Sequence, residues 1–405
     1  MAIMASTAIS TQGQAPAASA DESQPDAIRA YLAPLVSNQT LAGAVTLVAT
    51  RDRILYLKAV GFRDIAAKAP MASNDLFWIA STSKPMTATA MMMLVDEGKV
   101  NLDDPVEKYL PEFKGQMVRA KRTDGNDASA AQGPPALMPA NHPIRVREIL
   151  SHTSGLPFKS KAQPGALDLL PLKDAVKSFA GEPLLFQPGT DYSYSNEGLN
   201  TAARIIEVVT GIPYEQFMQQ RLFDPLGMKD TTFWPNAEQI SRLAQSYKFD
   251  DKTKELVEVP IDQLTYPLND KARRYPMPAG GIFSTAEDVS KFCQMILNGG
   301  TSHGKRYISE NSLHEMTSKQ TGLEGKDYGF GWSVSKDGFG HGGAFSNQMN
   351  IDTADGLIVI FMVQQNGTYG TDEGKSIGST LARLAKELDS PKVADPKAAQ
   401  AYGQN

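Results

Sequence analysis

Ser81-Thr82-Ser83-Lys84 sets a hydroxyl and an amine three residues apart. On a helix that spacing brings both side chains to one face, within reach of each other. A serine with a neighbouring base can form covalent acyl intermediates, and a lysine is such a base once neutral. The unperturbed lysine pKa is about 10.4, so bringing it near 7 takes about 4–5 kcal/mol of differential destabilisation. Burial and the positive end of a helix dipole each supply part of that. The same spacing recurs at Ser302/Lys305 and Ser333/Lys336, so the pair alone is not specific. Context separates the three. Ser302 lies in a Gly-rich loop and Ser333 in a strand pattern, while only Ser81 opens a helical pattern after the apolar approach Leu76–Ala80.

A second titrating group would help the lysine, and Tyr194-Ser195-Asn196 offers one. A phenol beside the amine can pass a proton between nucleophile and leaving group, while the Asn side chain holds the lysine or a substrate amide. The same residues also read as a turn ahead of a helix at Gly198, and both readings stay open. In His341-Gly342-Gly343-Ala344, two glycines let a ligand approach the backbone, and the amide of Ala344 could join that of Ser81 in an oxyanion hole. A glycine pair at a hairpin edge is the plainer alternative. His152, in Leu150-Ser151-His152-Thr153-Ser154-Gly155-Leu156, invites a Ser-His-Asp reading, but its place at a helix end points to a structural hydrogen bond. Gly374-Lys375-Ser376-Ile377-Gly378 has the form of a nucleophile elbow, yet all five histidines precede it, and that fold needs its histidine afterwards. Nor is it a phosphate loop, because Tyr369 stands where the first glycine is required. No His/Cys/carboxylate cluster has metal-ligand spacing, so neither a metal nor a cofactor is expected.

The elements that must carry these residues follow from periodicity and punctuation. A helix is expected near Pro25–Leu35, strands over Ala44–Thr50 and Ile54–Val60, and a helix from Ser81 to Glu97 stopped by Gly98. Residues 121–143 are Ala/Pro/Gly-rich and read as a long surface loop. Helical patterns return at Ile144–Leu150, Gly198–Thr210 and Pro213–Leu222, and Ser284-Thr285-Ala286-Glu287 reads as a capping box for a helix to Leu297. Tyr328–Ser335, Ser346–Asp352 and Leu357–Gln364 then form a strand meander, followed by a helix over Ile377–Leu388. Strands at both ends around a helical middle predict one antiparallel sheet built from both termini, with a helical lobe inserted.

Composition narrows the function. With 40 Lys+Arg against 45 Asp+Glu, a net charge of −5 and no basic run, neither nucleic acid nor an anionic membrane is an expected partner. No stretch reaches the roughly 18–20 apolar residues of a spanning helix. At 405 residues and 41% hydrophobic content there is ample core for one large domain or two lobes. The single cysteine, Cys293, excludes an intramolecular disulfide and reads as core filler. Residues 1–24 read as a tail or the remnant of an export signal, with Ala18-Ser19-Ala20 like a cleavage site but without a charged start or a full apolar stretch.

Ser81-x-x-Lys84, Tyr194-x-Asn196 and His341-x-Gly343, in that order, resemble the signature set of the serine β-lactamase / penicillin-binding-protein superfamily. The likeness is nearest to its class C β-lactamase-like branch, which includes family VIII carboxylesterases and D-stereospecific aminopeptidases. It runs over residues 25–390 and takes in Ile79–Lys84, His152–Leu156, Pro225-Leu226-Gly227-Met228 and Gly280-Gly281. The resemblance implies an α+β fold of β-lactamase/transpeptidase type: an α/β lobe from 25–84 and 256–390, a mainly helical lobe over 85–255, and a tail at 391–405. It makes Ser81 the nucleophile, Lys84 and Tyr194 the coupled base, and Asn196 the residue that orients lysine and substrate. The amides of Ser81 and Ala344 become the oxyanion hole, and His341-Gly342-Gly343 takes the place of a Lys-Thr-Gly triplet on the sheet edge. An exported or periplasmic location follows by analogy, with a cytoplasmic one and the oligomeric state left open.

The third motif departs from that pattern. Lys-Thr-Gly offers an ammonium and a hydroxyl to a substrate carboxylate, whereas an imidazole and a glycine stand here. A charge-assisted contact worth about 1.5–3 kcal/mol is lost. The sequence therefore predicts a serine hydrolase that cleaves short- to medium-chain carboxylic esters in preference to carboxylate-bearing β-lactams. A D-amino-acid peptidase or amidase, or a weak β-lactamase, is the alternative. A slowly deacylating penicillin-binding protein is a further one.

Overall fold

Every residue of Gly43–Ala49 (β1) is buried, which a strand achieves only when both of its faces are covered. In the computed structural model, which describes residues 26–120, 136–163, 165–367, 369 and 372–389, β1 lies inside a seven-stranded antiparallel sheet. Its companions are β2 (Ile54–Asp64), β3 (Ala69–Pro70), β4 (Ser333–Val334), β5 (Gly338–Gly342), β6 (Gln348–Asp352) and β7 (Leu357–Met362). The order across the sheet is β4-β5-β6-β7-β1-β2-β3. Val45 faces Met362 and Leu47 faces Ile360 across the β1/β7 ladder, so the two ends of the chain form one sheet. The side-chain period of two sorts the apolar residues by face. Ala44, Val48, Val359 and Phe361 share a core with the helices Ala27–Ser37 and Ile377–Asp389. Val45, Leu47, Ile358 and Ile360 belong to a larger core with the helix Ala286–Leu297, where Cys293 is buried.

The helices Val146–Leu150, Leu172–Ala180, Asn196–Thr210 and Tyr214–Met218 follow one another in the middle of the chain. The Lys84–Asp96 helix packs against Asn196–Thr210 on one side and Glu310–Thr317 on another. Lys84 through Leu94 are all buried, as expected of a helix surrounded by protein.

Several boundaries differ from the sequence reading. The chain from Ala80 to Ser83 is a 3-10 turn, and the α-helix starts only at Lys84. The helix at 286 is capped by Thr285, which accepts from the Asp288 amide at 3.2 Å, and not by Ser284. Ser284 is drawn into a short strand pairing with Phe77, and its hydroxyl lies 2.8 Å from that of Thr231. Within the expected meander, Tyr328–Ser335 contributes only β4, and β5 is an additional strand. Gly331, at φ +75°, presses against the Lys84 carbonyl, where a Cβ would sit at 2.8 Å, so this stretch packs as a loop over the Lys84 helix. A hairpin of Tyr247–Asp250 and Glu255–Glu258 interrupts the region read as helical. Leu137–Pro139, inside the expected loop, pairs with Met117–Arg119. Residues 121–135 and the expected tails at 1–24 and 391–405 lie outside the described residues.

Candidate active site

Ser81 owes its position to the bend that precedes it. Ala80 adopts φ +46°, a left-handed conformation that costs a residue with a Cβ about 1–2 kcal/mol. Neighbouring bonds hold the bend: the Ser83 hydroxyl donates to the Ala80 carbonyl at 2.6 Å, and the Ile79 amide donates to Ile282 at 3.0 Å. Asn347, fully buried, ties this turn to the loop after β5. Its Oδ1 accepts from the Thr82 hydroxyl at 2.9 Å and its Nδ2 donates to the Trp78 carbonyl at 3.1 Å. Gly343 fits between them: a Cβ there would lie 2.3 Å from Asn347 Oδ1 and 2.6 Å from the Ile79 carbonyl. The end of β5 is thereby docked against the turn that carries Ser81. Ala344 follows in an exposed turn.

Lys84 is the first residue of the buried helix and has no exposed surface. Its Nζ lies 2.9 Å from Ser81 Oγ, 2.8 Å from Asn196 Oδ1 and 2.8 Å from the Ala279 carbonyl oxygen. Asn196 and Asn200, one turn apart on the Asn196–Thr210 helix, divide the task of fixing these acceptors. Asn196 reaches the amine directly, while Asn200 Oδ1 accepts from the Ala279 amide at 3.0 Å. Ser195 caps that helix by accepting from the Gly198 amide at 3.3 Å. Burial away from any carboxylate partner drives the Lys84 pKa well below the ordinary lysine value, which favours the neutral amine.

Tyr194 crosses Lys84, with Nζ 4.6 Å from its ring centroid, and Ser81 lies near enough to its phenol to act on the phenol's pKa. Burial raises its pKa above the usual 10, although Ser81 pulls the other way. Burial thus pushes the two groups in opposite directions, holding the proton on the phenol and favouring its loss from the amine.

The imidazole of His341 is buried on β5. Its Nδ1 lies 2.7 Å from the Gly342 carbonyl, which can only accept, so the ring proton is on Nδ1. Nε2 is then the acceptor for the Tyr328 hydroxyl at 2.9 Å. Burial, the largest cause, depresses the His341 pKa to about 3. The imidazole is thus neutral with both nitrogens engaged. Beyond the two-residue strand β4, which pairs with Phe339 and Gly340, the outer edge of β5 at His341 and Gly342 has no strand partner among the described residues.

The structure thus brings Ser81, Lys84, Tyr194 and Asn196 into one cluster, with His341 and Gly342 on the strand beside it and Gly343 just past its end. Sequence reasoning missed Asn347, Asn200, the Ala279 carbonyl and Tyr328. Only Gly280-Gly281 hinted at the third: its glycines allow the tight turn after Ala279, where a Cβ on Gly281 would meet Met277 backbone at 2.9 Å.

An antiparallel sheet from both chain ends, with a buried Ser-x-x-Lys helix beside it, defines a β-lactamase/transpeptidase-fold protein. The chain belongs to the Beta-lactamase family, whose model matches residues 28–382. An uncharacterized protein of Mycobacterium tuberculosis is 30% identical over 381 residues, covering 85% of this chain and 91% of the relative. Esterase EstB of Burkholderia gladioli is 27% identical over 388 residues, covering 84% and 89%. Among solved structures, EstCE1, a hydrolase with promiscuous acyltransferase activity, superposes with a TM-score of 0.70 at 21% identity, covering 89% of this chain and 97% of its own. The chain is a hydrolase of the serine β-lactamase / penicillin-binding-protein superfamily.

Proposed function

We propose that this hydrolase cleaves short- to medium-chain carboxylic esters through an acyl-enzyme on Ser81. The observation that carries the mechanism is the set of partners around Lys84 Nζ. Asn196 Oδ1 and the Ala279 carbonyl can only accept, so they take both N–H groups of a neutral amine and leave its lone pair for Ser81. Ser81 Oγ bonds to the ester carbonyl carbon as its proton passes to Lys84. The charge that develops on the carbonyl oxygen is met by the amides of Ser81 and Ala344. The carbon–alkoxy bond then breaks, and the alcohol leaves with the proton, relayed by the Tyr194 phenol. Water attacks the acyl carbon in the same way, giving a proton to Lys84. That proton returns to Ser81 Oγ as the acid is released. Tyr194, with its raised pKa, acts as a relay and Lys84 as the resting base.

The ester preference rests on His341. With its nitrogens engaged and its charge suppressed, it gives a substrate carboxylate no cationic partner. Phe158, exposed and stacked 6.3 Å from the Tyr194 ring, adds apolar surface suited to an acyl or alkyl group. A panel of p-nitrophenyl butyrate, nitrocefin and D-Ala-p-nitroanilide tests the proposal. Loss of a charge-assisted contact predicts a kcat/KM for the ester about 10- to 100-fold above that for nitrocefin. Ser81→Ala should abolish turnover without changing the unfolding transition. Nitrocefin ahead of the ester would overturn the substrate assignment, and the anilide ahead of both would make the chain an amidase.

A further inference from the structure

His152 lies outside the Ser81–Lys84–Tyr194 cluster, yet three of its contacts converge on Tyr194. Its backbone carbonyl accepts from the Ser193 amide at 3.0 Å, and its side-chain Nδ1 accepts from the Ser195 amide at 3.2 Å. Both residues flanking Tyr194 are therefore held by one histidine. Its ring also packs on the Tyr194 ring, with centroids 4.5 Å apart and a tilt of 48°. Tyr328 lies on the ring as well, at 4.6 Å, and Tyr192 meets it edge-on at 5.9 Å.

The residue carries two local penalties. It sits at φ +62°, where a side chain is strained, and its Nε2 is buried with no hydrogen-bond partner among the described residues. An amide N–H can only donate, so Nδ1 is the lone-pair nitrogen and Nε2 carries the unpaired proton. A histidine kept only to cap the Val146–Leu150 helix would be better replaced by glycine, which relieves the backbone, or by asparagine, which tolerates that φ. Strain that persists at a residue touching a reacting group points to a role in arranging that group.

We infer that His152 is a positioning residue: it clamps the Ser193–Ser195 segment on both sides and seats the Tyr194 ring so that its phenol meets Ser81. It touches neither Ser81 nor substrate, and it acts only through Tyr194. The inference rests on the reading of Tyr194 as the proton relay.

His152→Gly removes the ring and the Nδ1 acceptor while suiting the backbone, and His152→Asn restores an acceptor at a tolerated φ. Measured with p-nitrophenyl butyrate, His152→Gly should lower kcat by about 10- to 100-fold, the usual effect of misplacing a reacting group by about 1 Å, with KM changed less than about threefold. His152→Asn should return kcat to within about fivefold of the parent. In a Tyr194→Phe background, His152→Gly should cost less than about twofold, because the relay it positions is already gone. An equal loss in both backgrounds, or a normal kcat with only a lower melting temperature, overturns the clamp while leaving the relay intact. Near-parental kcat in Tyr194→Phe itself overturns the relay and the clamp together. Should the glycine variant fail to fold, His152→Ala in the parent and Tyr194→Phe backgrounds decides: a kcat loss confined to the parent background supports the clamp, and an equal loss in both, or none, overturns it.

Discussion

At the scale of single residues, the site trades stability for an uncharged amine. Lys84 is fully buried, and that burial holds its pKa in the fold well below the value of about 10.4 it has in an unfolded chain. Between the depressed folded pKa and that value, the unfolded state binds one more proton than the native state. Native stability therefore rises with pH across this window, by up to about 1.4 kcal/mol per pH unit. Lys84→Met abolishes the term, and its other costs, such as the acceptors left unpaired on Asn196 and Ala279, do not vary with pH. Urea unfolding at pH 7 and pH 9 should find the parent gaining up to about 2–3 kcal/mol on the variant as pH rises. A difference that stays flat would mean a charged Lys84 in the fold, and the amine would then be no base. This pair was legible in the sequence because its spacing is local. Asn196, 112 residues away, was legible only through its Tyr194-x-Asn196 motif, and the Ala279 carbonyl, 195 residues away, was not legible at all, because no pattern announces that a particular carbonyl will face a particular amine.

At the scale of elements, the junction between β5 and the Ser81 turn decides whether the strand edge lies next to the nucleophile. Gly343 marks it, since the Asn347 side chain and the Ile79 carbonyl leave no room for a Cβ. Gly343→Ala should lower stability by about 1–3 kcal/mol through overpacking. It should also reduce kcat by about 10²-fold, because displacing the strand end shifts the Ala344 amide. Gly342→Ala meets only the Asn347 carbonyl at 3.7 Å, and chemical denaturation should find its stability within about 0.5 kcal/mol of the parent. Equal destabilisation in the two variants would contradict the docking. The sequence hid β5 for a physical reason. Gly338-Phe339-Gly340-His341-Gly342 has poor strand propensity, and it is a strand because Gly338 and Gly340 let its backbone lie against β6, where a Cβ would sit 2.0 Å from the Ile351 carbonyl or 2.4 Å from Asn350 Oδ1. The reverse error arose at Tyr328–Ser335, whose alternating aromatics imitate a strand. Its glycines instead let it pass close to the Met316 and Lys84 carbonyls.

At the scale of the whole molecule, the sheet built from both termini was legible because β1 and β7 are apolar on both faces and lie at opposite ends of the chain. That pairing brings β5 and β6 into the same sheet as the N-terminal hairpin, and the Lys84–Asp96 helix packs in the core on one side of it. Ser81 comes from one chain end, the β5 edge from the other, and Tyr194 and Asn196 from the segment leading into a helix between them and from the start of that helix. The account requires that these three regions meet at a single reactive hydroxyl. The direct test is to incubate the protein with a fluorophosphonate, record the intact mass, and map the modified peptide. One adduct per chain, located on Ser81 and lost in Ser81→Ala and Lys84→Met, is the expected result. Stoichiometric labelling of any other serine, or undiminished labelling in Lys84→Met, would contradict the account at its centre.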